Sequence, residues 1–220
     1  FVLGIEDPQD YKMYLTEDRD DGCFYRFIPQ SKNNPFKGQL QTLVLDKPNV
    51  NTSKNILENK EYPVKWTNVT NGQLDDLRFQ GQRKGAAIFK RGEGICFYQN
   101  EIYFCCTTGG PIGKGQIFAY SPQKQSLRLV VQSKNIHQLN MSDNICMSPW
   151  GDLVMAEDGT NCHIRVLTQS GQLIPLAQNY RKSQEFTGVC FSPSGKTLFC
   201  NLQHEGLTLA IQGPFEKLRS

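Results

Sequence analysis

One pattern occurs four times along this chain and restricts the folds it can adopt. Each copy is a window of fifteen residues in which a small residue precedes a short apolar strand, a turn and a second strand. Apolar and polar residues alternate within the strands, and no segment keeps the apolar stripe of a helix. The repeat therefore predicts an all-β chain built from similar hairpins. The windows are GIEDPQDYKMYLTED (4 to 18), GICFYQNEIYFCCTT (94 to 108), NICMSPWGDLVMAED (144 to 158) and GVCFSPSGKTLFCNL (188 to 202).

The spacing of the windows predicts a β-propeller. The last three windows start at residues 94, 144 and 188, which lie 50 and 44 residues apart, the range of four-stranded blades. We expect about four such blades in a single domain over 1–220, with a polar insertion at about 49–84. Because four blades leave strand edges open, we also expect further blades on the N-terminal side.

Composition argues against two classes of partner. The formal net charge is only +3, and Lys and Arg are spread along the chain, so nothing supports nucleic-acid binding. No stretch is long and apolar enough to span a membrane.

The chain opens on FVLGIEDP without a visible export signal. Its eight cysteines mostly lie within apolar runs, which predicts free structural thiols.

Acidic residues recur at one end of the predicted hairpins. The residues before the first strand and those after the second lie at the same end of a hairpin. In a propeller these ends face one mouth of the central channel, so we expect their side chains to converge there. The acidic and amide residues at or near these positions are Glu17, Asp18, Glu93, Asp143, Asn144, Glu157, Asp158 and Glu185.

Converging carboxylates predict a bound cation. A single acidic turn such as Glu157 with Asp158 is most simply a solvated turn. Several carboxylates in one place repel one another, and an unpaired buried charge is strongly destabilising. Oxygen ligands without histidine suit Ca²⁺, Mg²⁺, Mn²⁺ or a high-valent iron better than zinc. The repetition therefore favours a metal site over a set of independent turns.

Four stretches of the chain resemble the C-terminal portion of the PhoX-type alkaline phosphatases. That family consists of bacterial propeller enzymes that hydrolyse phosphate monoesters with calcium and iron. The resemblance implies that this chain is the C-terminal part of a six-bladed propeller, with a Ca²⁺ and Fe³⁺ cluster at the mouth of the channel. It also implies a small-molecule substrate and a periplasmic or extracellular location. The stretches are YLTEDRDDGCFYRFIP, FKRGEGICF, MSDNICMSPWGDLVMAEDG and EFTGVCFSPSGKTLFCNLQ.

The resemblance also implies roles for individual residues. Glu17 and Glu93 correspond to carboxylates that bind metal, and Arg91 corresponds to a guanidinium that contacts the phosphate. Arg91 and Glu93 are the candidate catalytic residues. A planar guanidinium suits this role because it donates paired hydrogen bonds to phosphoryl oxygens. The resemblance covers only the C-terminal portion of the family, so we expect the ligands of the family's N-terminal region, including a cysteine thiolate to iron, to have no counterpart among these residues. The further candidate calcium ligands are Asp143, Asn144 and Glu157.

Two alternative functions fit the same residues. A calcium-dependent propeller hydrolase of the lactonase type would use the carboxylates but would not need Arg91. A non-catalytic or truncated propeller would bind metal as a scaffold without turnover.

A glycine-rich stretch, TTGGPIGKGQ (107 to 116), is similar to a phosphate-binding loop. It lacks the Walker spacing and precedes a strand instead of a helix. We expect it to be a loop at the channel mouth that lines the substrate entrance.

Overall fold

The described residues form strands, turns and one short helix, which confirms the all-β prediction. The computed structural model describes residues 4–8, 10–54, 56–70, 76–180, 185–215 and 217. The helix α1 (Leu77–Arg83) has seven residues, and no helix in these ranges could cross a membrane. The strands are β1 (Gly4–Glu6), β2 (Met13–Leu15), β3 (Tyr25–Ser31), β4 (Asn34–Val44), β5 (Glu61–Pro63), β6 (Lys65–Val69), β7 (Gly92–Tyr98), β8 (Glu101–Cys106), β9 (Gln116–Ser121), β10 (Ser126–Gln132), β11 (Ser142–Met147), β12 (Leu153–Glu157), β13 (His163–Leu167), β14 (Leu173–Gln178), β15 (Phe186–Phe191), β16 (Thr197–Leu202) and β17 (Leu207–Gln212).

The strands form four antiparallel sheets, which we number by their order along the chain. The first sheet has the order β1-β2-β3-β4-β6 and the second has the order β5-β10-β9-β8-β7. The third sheet has the order β11-β12-β13-β14, and the fourth is β15-β16-β17. The described sheets thus have five, five, four and three strands, where the sequence predicts about four in each.

Each repeated window folds into the first hairpin of one sheet. The strand pairs β1 with β2, β7 with β8, β11 with β12, and β15 with β16 are all antiparallel. The turn between β7 and β8 consists of Gln99 and Asn100, both at positive φ, which matches the right-handed twist of the flanking strands. The first strands also contact their neighbours, β1 beside β7, β7 beside β11 and β11 beside β15. The four hairpins therefore stand next to one another in chain order.

An aromatic core joins the first two sheets. Phe24, from the first sheet's side, stacks on Phe104 of β8 with ring centroids 4.2 Å apart, and Phe104 stacks in turn on Phe118 of β9 at 5.4 Å. All three rings are at most 1% exposed. Burying one such side chain contributes about 1.5–3 kcal/mol, so this cluster is a major source of stability. It explains why strands β8 and β9 are rich in apolar residues.

The first strand of each of the last three hairpins carries a β-bulge near its start. The register shifts lie between Gly92 and Ile95 in β7 and between Ser142 and Asn144 in β11, and a third lies in β15 between residues 187 and 190. A bulge adds an unpaired residue and re-aims the side chains beside it. The bulged residues include Glu93 in β7 and Asp143 in β11.

The polar segment at about 49–84 contains two short strands and the helix. Strand β5 pairs with β10 at the outer edge of the second sheet, and β6 pairs with β4 at the outer edge of the first. Only Val64 separates the two strands, and it is buried. The segment therefore links the outer edges of two sheets. Its strands carry alternating charged and aromatic residues that suit a half-exposed edge.

Candidate functional site

A polar cavity of about 420 Å³ opens where the described hairpins meet at one end. We call it the acid cavity, because five of its lining residues are carboxylates. They come from all four sheets: Asp18 follows β2, Glu93 is in β7, Asp143 is in β11, Asp158 follows β12 and Glu185 precedes β15. The residues that line it are Asp18, Arg91, Glu93, Asp143, Asn144, Asp158, Glu185, Thr187 and Gln203.

The β-bulges place two of the carboxylates. The Thr16 hydroxyl donates a hydrogen bond to the Glu93 carbonyl at 2.7 Å, and the Cys105 thiol donates to the Asp143 carbonyl at 3.1 Å. Carbonyls that lose their partner in the sheet are thus satisfied by side chains of the preceding hairpin. Each of these two bulges is therefore held by a side chain from the preceding hairpin. The backbone therefore holds Glu93 and Asp143 at the cavity.

Arg91 is the only cation that lines the acid cavity among the described residues. Its backbone is left-handed, with a φ of 50°. The guanidinium donates to both carboxylate oxygens of Asp18, at 2.7 and 3.2 Å, and to Glu93 Oε1 at 3.0 Å. The hydrogen bond to Asp18 is the main reason that the Arg91 pKa is raised, so Arg91 stays charged. Its Nη1 donates to no described residue.

The carboxyl of Glu93 has a strongly raised pKa. The pKa of Glu93 is raised to about 9, mainly by burial and also by its hydrogen bond with Asp143 and the charges of Asp143 and Asp18, while the charge of Arg91 lowers it. The Thr107 hydroxyl also lies 3.1 Å from Glu93 Oε1. Without a cation, Glu93 therefore keeps its proton at neutral pH.

Glu185 shows the same behaviour on the other side of the cavity. The pKa of Glu185 is raised to about 8, mainly by its hydrogen bond with Asp158 and also by burial and the charges of Asp158 and Asp143. Asp143 Oδ2 also accepts a hydrogen bond from Thr187 at 3.2 Å. The acid cavity thus holds more negative charge than Arg91 can balance, and two of its carboxyls respond by binding protons.

Glu157, one of the predicted metal ligands, does not line the acid cavity. Its side chain is fully buried and accepts hydrogen bonds from the backbone N–H groups of Asn140 at 2.8 Å and His163 at 2.9 Å. Arg165 Nε donates to Glu157 Oε1 at 2.5 Å. The carboxylate is therefore paired and bonded on both oxygens.

Glu17 occupies the corresponding position of the first hairpin and also faces away from the cavity. Its Oε2 accepts from the Cys23 N–H at 3.0 Å and from the Tyr25 hydroxyl at 2.8 Å, and Arg78 lies 3.8 Å from its Oε1. The next residue of each pair, Asp18 or Asp158, is the one that reaches the cavity.

Of the predicted site residues, the structure brings Arg91, Glu93, Asp143 and Asn144 together in one cavity. It also brings in Asp18 and Asp158, which the sequence identifies only as the second members of acidic pairs. In each pair only the second member lines the cavity, and hydrogen bonds hold the carboxylate of the first member elsewhere.

The acid cavity has the donor chemistry of a site for hard cations. It is lined by carboxylate, amide and hydroxyl oxygens, and no cysteine or histidine lines it among the described residues. Such ligands suit Ca²⁺ and Fe³⁺. Within the described ranges, no three His, Cys, Asp or Glu side chains are grouped closely enough to hold an ion as they stand. The Arg91 guanidinium lies between the carboxylates of Asp18 and Glu93.

A larger cavity of about 730 Å³ lies elsewhere, against the second and third sheets. Its cations are already paired, since Arg128 binds Glu101 at 2.7 Å and Lys134 binds Glu58 at 2.9 Å. Because the cations of this larger cavity are already paired, the acid cavity is the better candidate site.

Comparison with known proteins identifies the family. None of the curated proteins compared with the chain matches it. Among solved structures, it is similar to an auxiliary nutrient binding protein from Bacteroides thetaiotaomicron at 11% identity and a TM-score of 0.33. That match covers 90% of this chain and 54% of the other protein, so the chain spans about half of that protein's length. A family model described as alkaline phosphatase PhoX matches residues 1–206. The chain therefore belongs to the PhoX alkaline phosphatase family.

Proposed function

We propose that this chain provides the metal- and phosphate-binding site of a phosphatase that hydrolyses small phosphate monoesters, with the acid cavity as the active site. One observation carries the proposal: carboxylates from four separate sheets and one fixed arginine line the same cavity. An arrangement of this kind has no evident structural use, because it concentrates like charges. It is explained if cations and a phosphate group occupy the cavity.

The proposed metal ligands are the three cavity carboxylates that are not bonded to Arg91, together with Glu93, which accepts one hydrogen bond from it. Asp143, Asp158 and Glu185 lie on the third and fourth sheets, and Glu93 joins them from the second. Asn144 adds a neutral oxygen. Ca²⁺ and Fe³⁺ held by these residues would supply positive charge to the phosphoryl oxygens and would acidify water. Loading would displace the protons of Glu93 and Glu185, since metal ligands must be deprotonated.

Glu17 and Glu157 have a positioning role in this proposal. Each is the residue directly before a cavity aspartate and is held by an arginine and backbone N–H groups. To bind a metal directly, Glu157 would have to leave Arg165 uncompensated in a buried place, which is strongly unfavourable. Fixing Glu17 and Glu157 instead fixes Asp18 and Asp158.

Arg91 is the proposed phosphate-binding residue. Asp18 holds the edge of the guanidinium that Nε and Nη2 form, and Nη1 is left without a described partner. Preorganised donors of this type stabilise charge that develops on the phosphoryl oxygens in the transition state. Glu93, which also accepts from Arg91, links the phosphate-binding and metal-binding sides of the cavity.

The arrangement of the hairpins supports a propeller as the architecture of this proposal. The first strands of the four sheets stand side by side in chain order, and the acid cavity lies at one end of them. A six-bladed ring would need further blades beyond those described. The periplasmic or extracellular location implied by the family resemblance remains part of the same proposal.

The direct test is hydrolysis of p-nitrophenyl phosphate at alkaline pH by the purified chain loaded with Ca²⁺ and Fe³⁺. We expect activity that chelation abolishes, and loss of activity in Glu93→Gln with an unchanged circular dichroism spectrum. The matched control is Glu101→Gln, a glutamate on the next strand that pairs with Arg128 outside the cavity. It should keep full activity.

Arg91→Ala separates the candidate functions. For a phosphatase, we expect kcat/KM to fall by roughly 10²–10³ while metal binding persists. Lactone hydrolysis retained in Arg91→Ala, with no phosphatase activity in either protein, would indicate a lactonase instead. Firm metal binding with no turnover of either substrate would indicate a scaffold.

A further inference from the structure

A second cavity of about 330 Å³ adjoins the acid cavity. The two share Asp158 and Glu185 as a common wall. The second cavity adds Lys114, Met141, Thr160 and His204. Its size is at the lower end of the range for small-molecule pockets.

Lys114 brings a positive charge to this cavity. Its ammonium contacts the Met141 thioether sulfur at 3.5 Å, which is a weak acceptor. It forms no ion pair with a carboxylate among the described residues, although Asp158 and Glu185 line the same cavity. An ammonium has three donors, so this side chain keeps most of its hydrogen-bonding capacity for a ligand.

Hydrogen bonds fix the backbone around Lys114, which limits the positions that its ammonium group can reach. The Lys114 carbonyl accepts a hydrogen bond from the Met141 N–H at 2.7 Å, and the Gly115 carbonyl accepts from the Ser133 N–H at 2.9 Å. Gly113 and Gly115 have φ of 66° and 122°, conformations that residues with a side chain rarely adopt. The glycine-rich loop thus turns at Lys114 and presents it beside the acid cavity.

We propose that the second cavity is the subsite for the alcohol part of the substrate, and that Lys114 selects esters whose alcohol carries a second anionic group. This inference rests on the proposed function, because it takes the phosphoryl group to bind at Arg91. The alcohol must then project over the shared wall of Asp158 and Glu185 or into solvent. A carboxylate or second phosphate on that alcohol would pair with the Lys114 ammonium.

The test compares two esters of one carbon skeleton. Glycerol 3-phosphate has a neutral alcohol part, whereas 3-phosphoglycerate carries a carboxylate. We expect the wild-type protein to favour 3-phosphoglycerate. Lys114→Met should raise its KM for that ester roughly tenfold, as expected for the loss of a charged hydrogen bond, and should leave glycerol 3-phosphate within about twofold. Lys114→Arg should retain the preference.

The matched control is Lys196→Met, which removes an exposed lysine outside both cavities and should change neither KM. An equal rise in KM for both esters in Lys114→Met, or no rise for either ester, would contradict the proposed subsite. If the wild-type protein hydrolyses neither ester, the proposed function fails, but the subsite can still be tested by calorimetric binding of the two esters to the Ca²⁺-loaded protein. Equal affinity of wild type and Lys114→Met for 3-phosphoglycerate would then reject it.

Discussion

Glu157 and Asp158 are adjacent acids with opposite surroundings. Glu157 is fully buried and held by Arg165 and backbone N–H groups, whereas Asp158 lines the acid cavity. We expect Glu157→Gln to lower the free energy of unfolding by about 3–5 kcal/mol, because it leaves Arg165 buried without its partner. Asp158→Asn should change stability by about 1 kcal/mol or less and should weaken Ca²⁺ binding.

Urea unfolding of the metal-free proteins and calorimetric titration with Ca²⁺ check this pair. If the Glu157→Gln protein were as stable as wild type but no longer bound Ca²⁺, Glu157 would be a metal ligand. Its ion pair with Arg165 would then contribute little to stability.

The raised pKa of Glu93 makes the stability of the metal-free protein depend on pH, and the raised pKa of Glu185 acts in the same direction. The pKa of Glu93 is about 9 in the folded state, against an ordinary 4.5, because of burial and of Asp143 and Asp18, with Arg91 opposing. Between these values the folded state binds a proton that the unfolded state has lost, so stability falls as pH rises. We expect a lower urea midpoint near pH 9 than near pH 6, a flatter profile in Glu93→Gln, and recovery with added Ca²⁺. A metal-free profile equal in both proteins would contradict the assignment.

Seven of the eight cysteines are shielded, and one is not. Cys190 is exposed, while the others are buried or half-buried, and all eight are free. Burial raises the pKa of Cys96 to about 12 and that of Cys200 to about 11, which suppresses the reactive thiolate. We expect one fast-reacting thiol with an aromatic disulfide reagent in the folded protein, and none in Cys190→Ser. More than one fast thiol would mean that the shielded strands open readily.

For single residues, the sequence predicts which acids are candidate site residues but not which of them line the same cavity. Arg91, Glu93, Asp143 and Asn144 come together because they sit at equivalent positions of successive hairpins. Glu17 does not join them, because its carboxylate accepts hydrogen bonds from the Cys23 N–H and the Tyr25 hydroxyl and lies near Arg78, contacts that no local pattern reveals.

Among the elements, the bulged inner strands carry the site. Gly94, in the β7 bulge, lies against the next hairpin: a Cβ there would come within 2.7 Å of Asn144 Cα and 2.9 Å of the Asp143 carbonyl oxygen. We expect Gly94→Ala to cost about 1–3 kcal/mol of stability and to weaken Ca²⁺ binding, because it forces β7 and β11 apart. Chemical unfolding and calorimetry measure both effects.

Gly213→Ala is the matched control for Gly94→Ala, since a Cβ at Gly213 would meet nothing within 4 Å. A Gly94→Ala protein with unchanged Ca²⁺ affinity would show that the spacing of β7 and β11 does not govern the site.

The elements differ in how far the sequence predicts them. The four hairpins follow from the repeated windows, because alternation of apolar residues over a known turn is a local signal. The bulges in β7 and β11 are not predicted, because they depend on donors such as Thr16 and Cys105 in another hairpin. Strands β5 and β6 are not predicted either, because short polar edge strands resemble loops in sequence.

In the molecule as a whole, the acid cavity is where all four sheets meet. A cation bound there would interact with carboxylates of separate sheets and would bind the folded state only. We expect saturating Ca²⁺, at about 100 times its dissociation constant, to add about 2.7 kcal/mol of stability. For a chain of this length that corresponds to a rise of roughly 5–10 °C in the thermal midpoint. Calorimetric scans with Ca²⁺ and with chelator test this, and Asp143→Asn should reduce the difference.

The connection through Val64 restrains the first two sheets relative to each other. Strands β5 and β6 lie on either side of Val64 and pair with the outer edges of the second and the first sheet. These two sheets therefore cannot separate without breaking backbone hydrogen bonds of at least one of them. Arg91 and Glu93 of the second sheet are thereby held against Asp18 of the first, whereas no described strand joins the outer edges of the third and fourth sheets, which carry Asp143, Asp158 and Glu185.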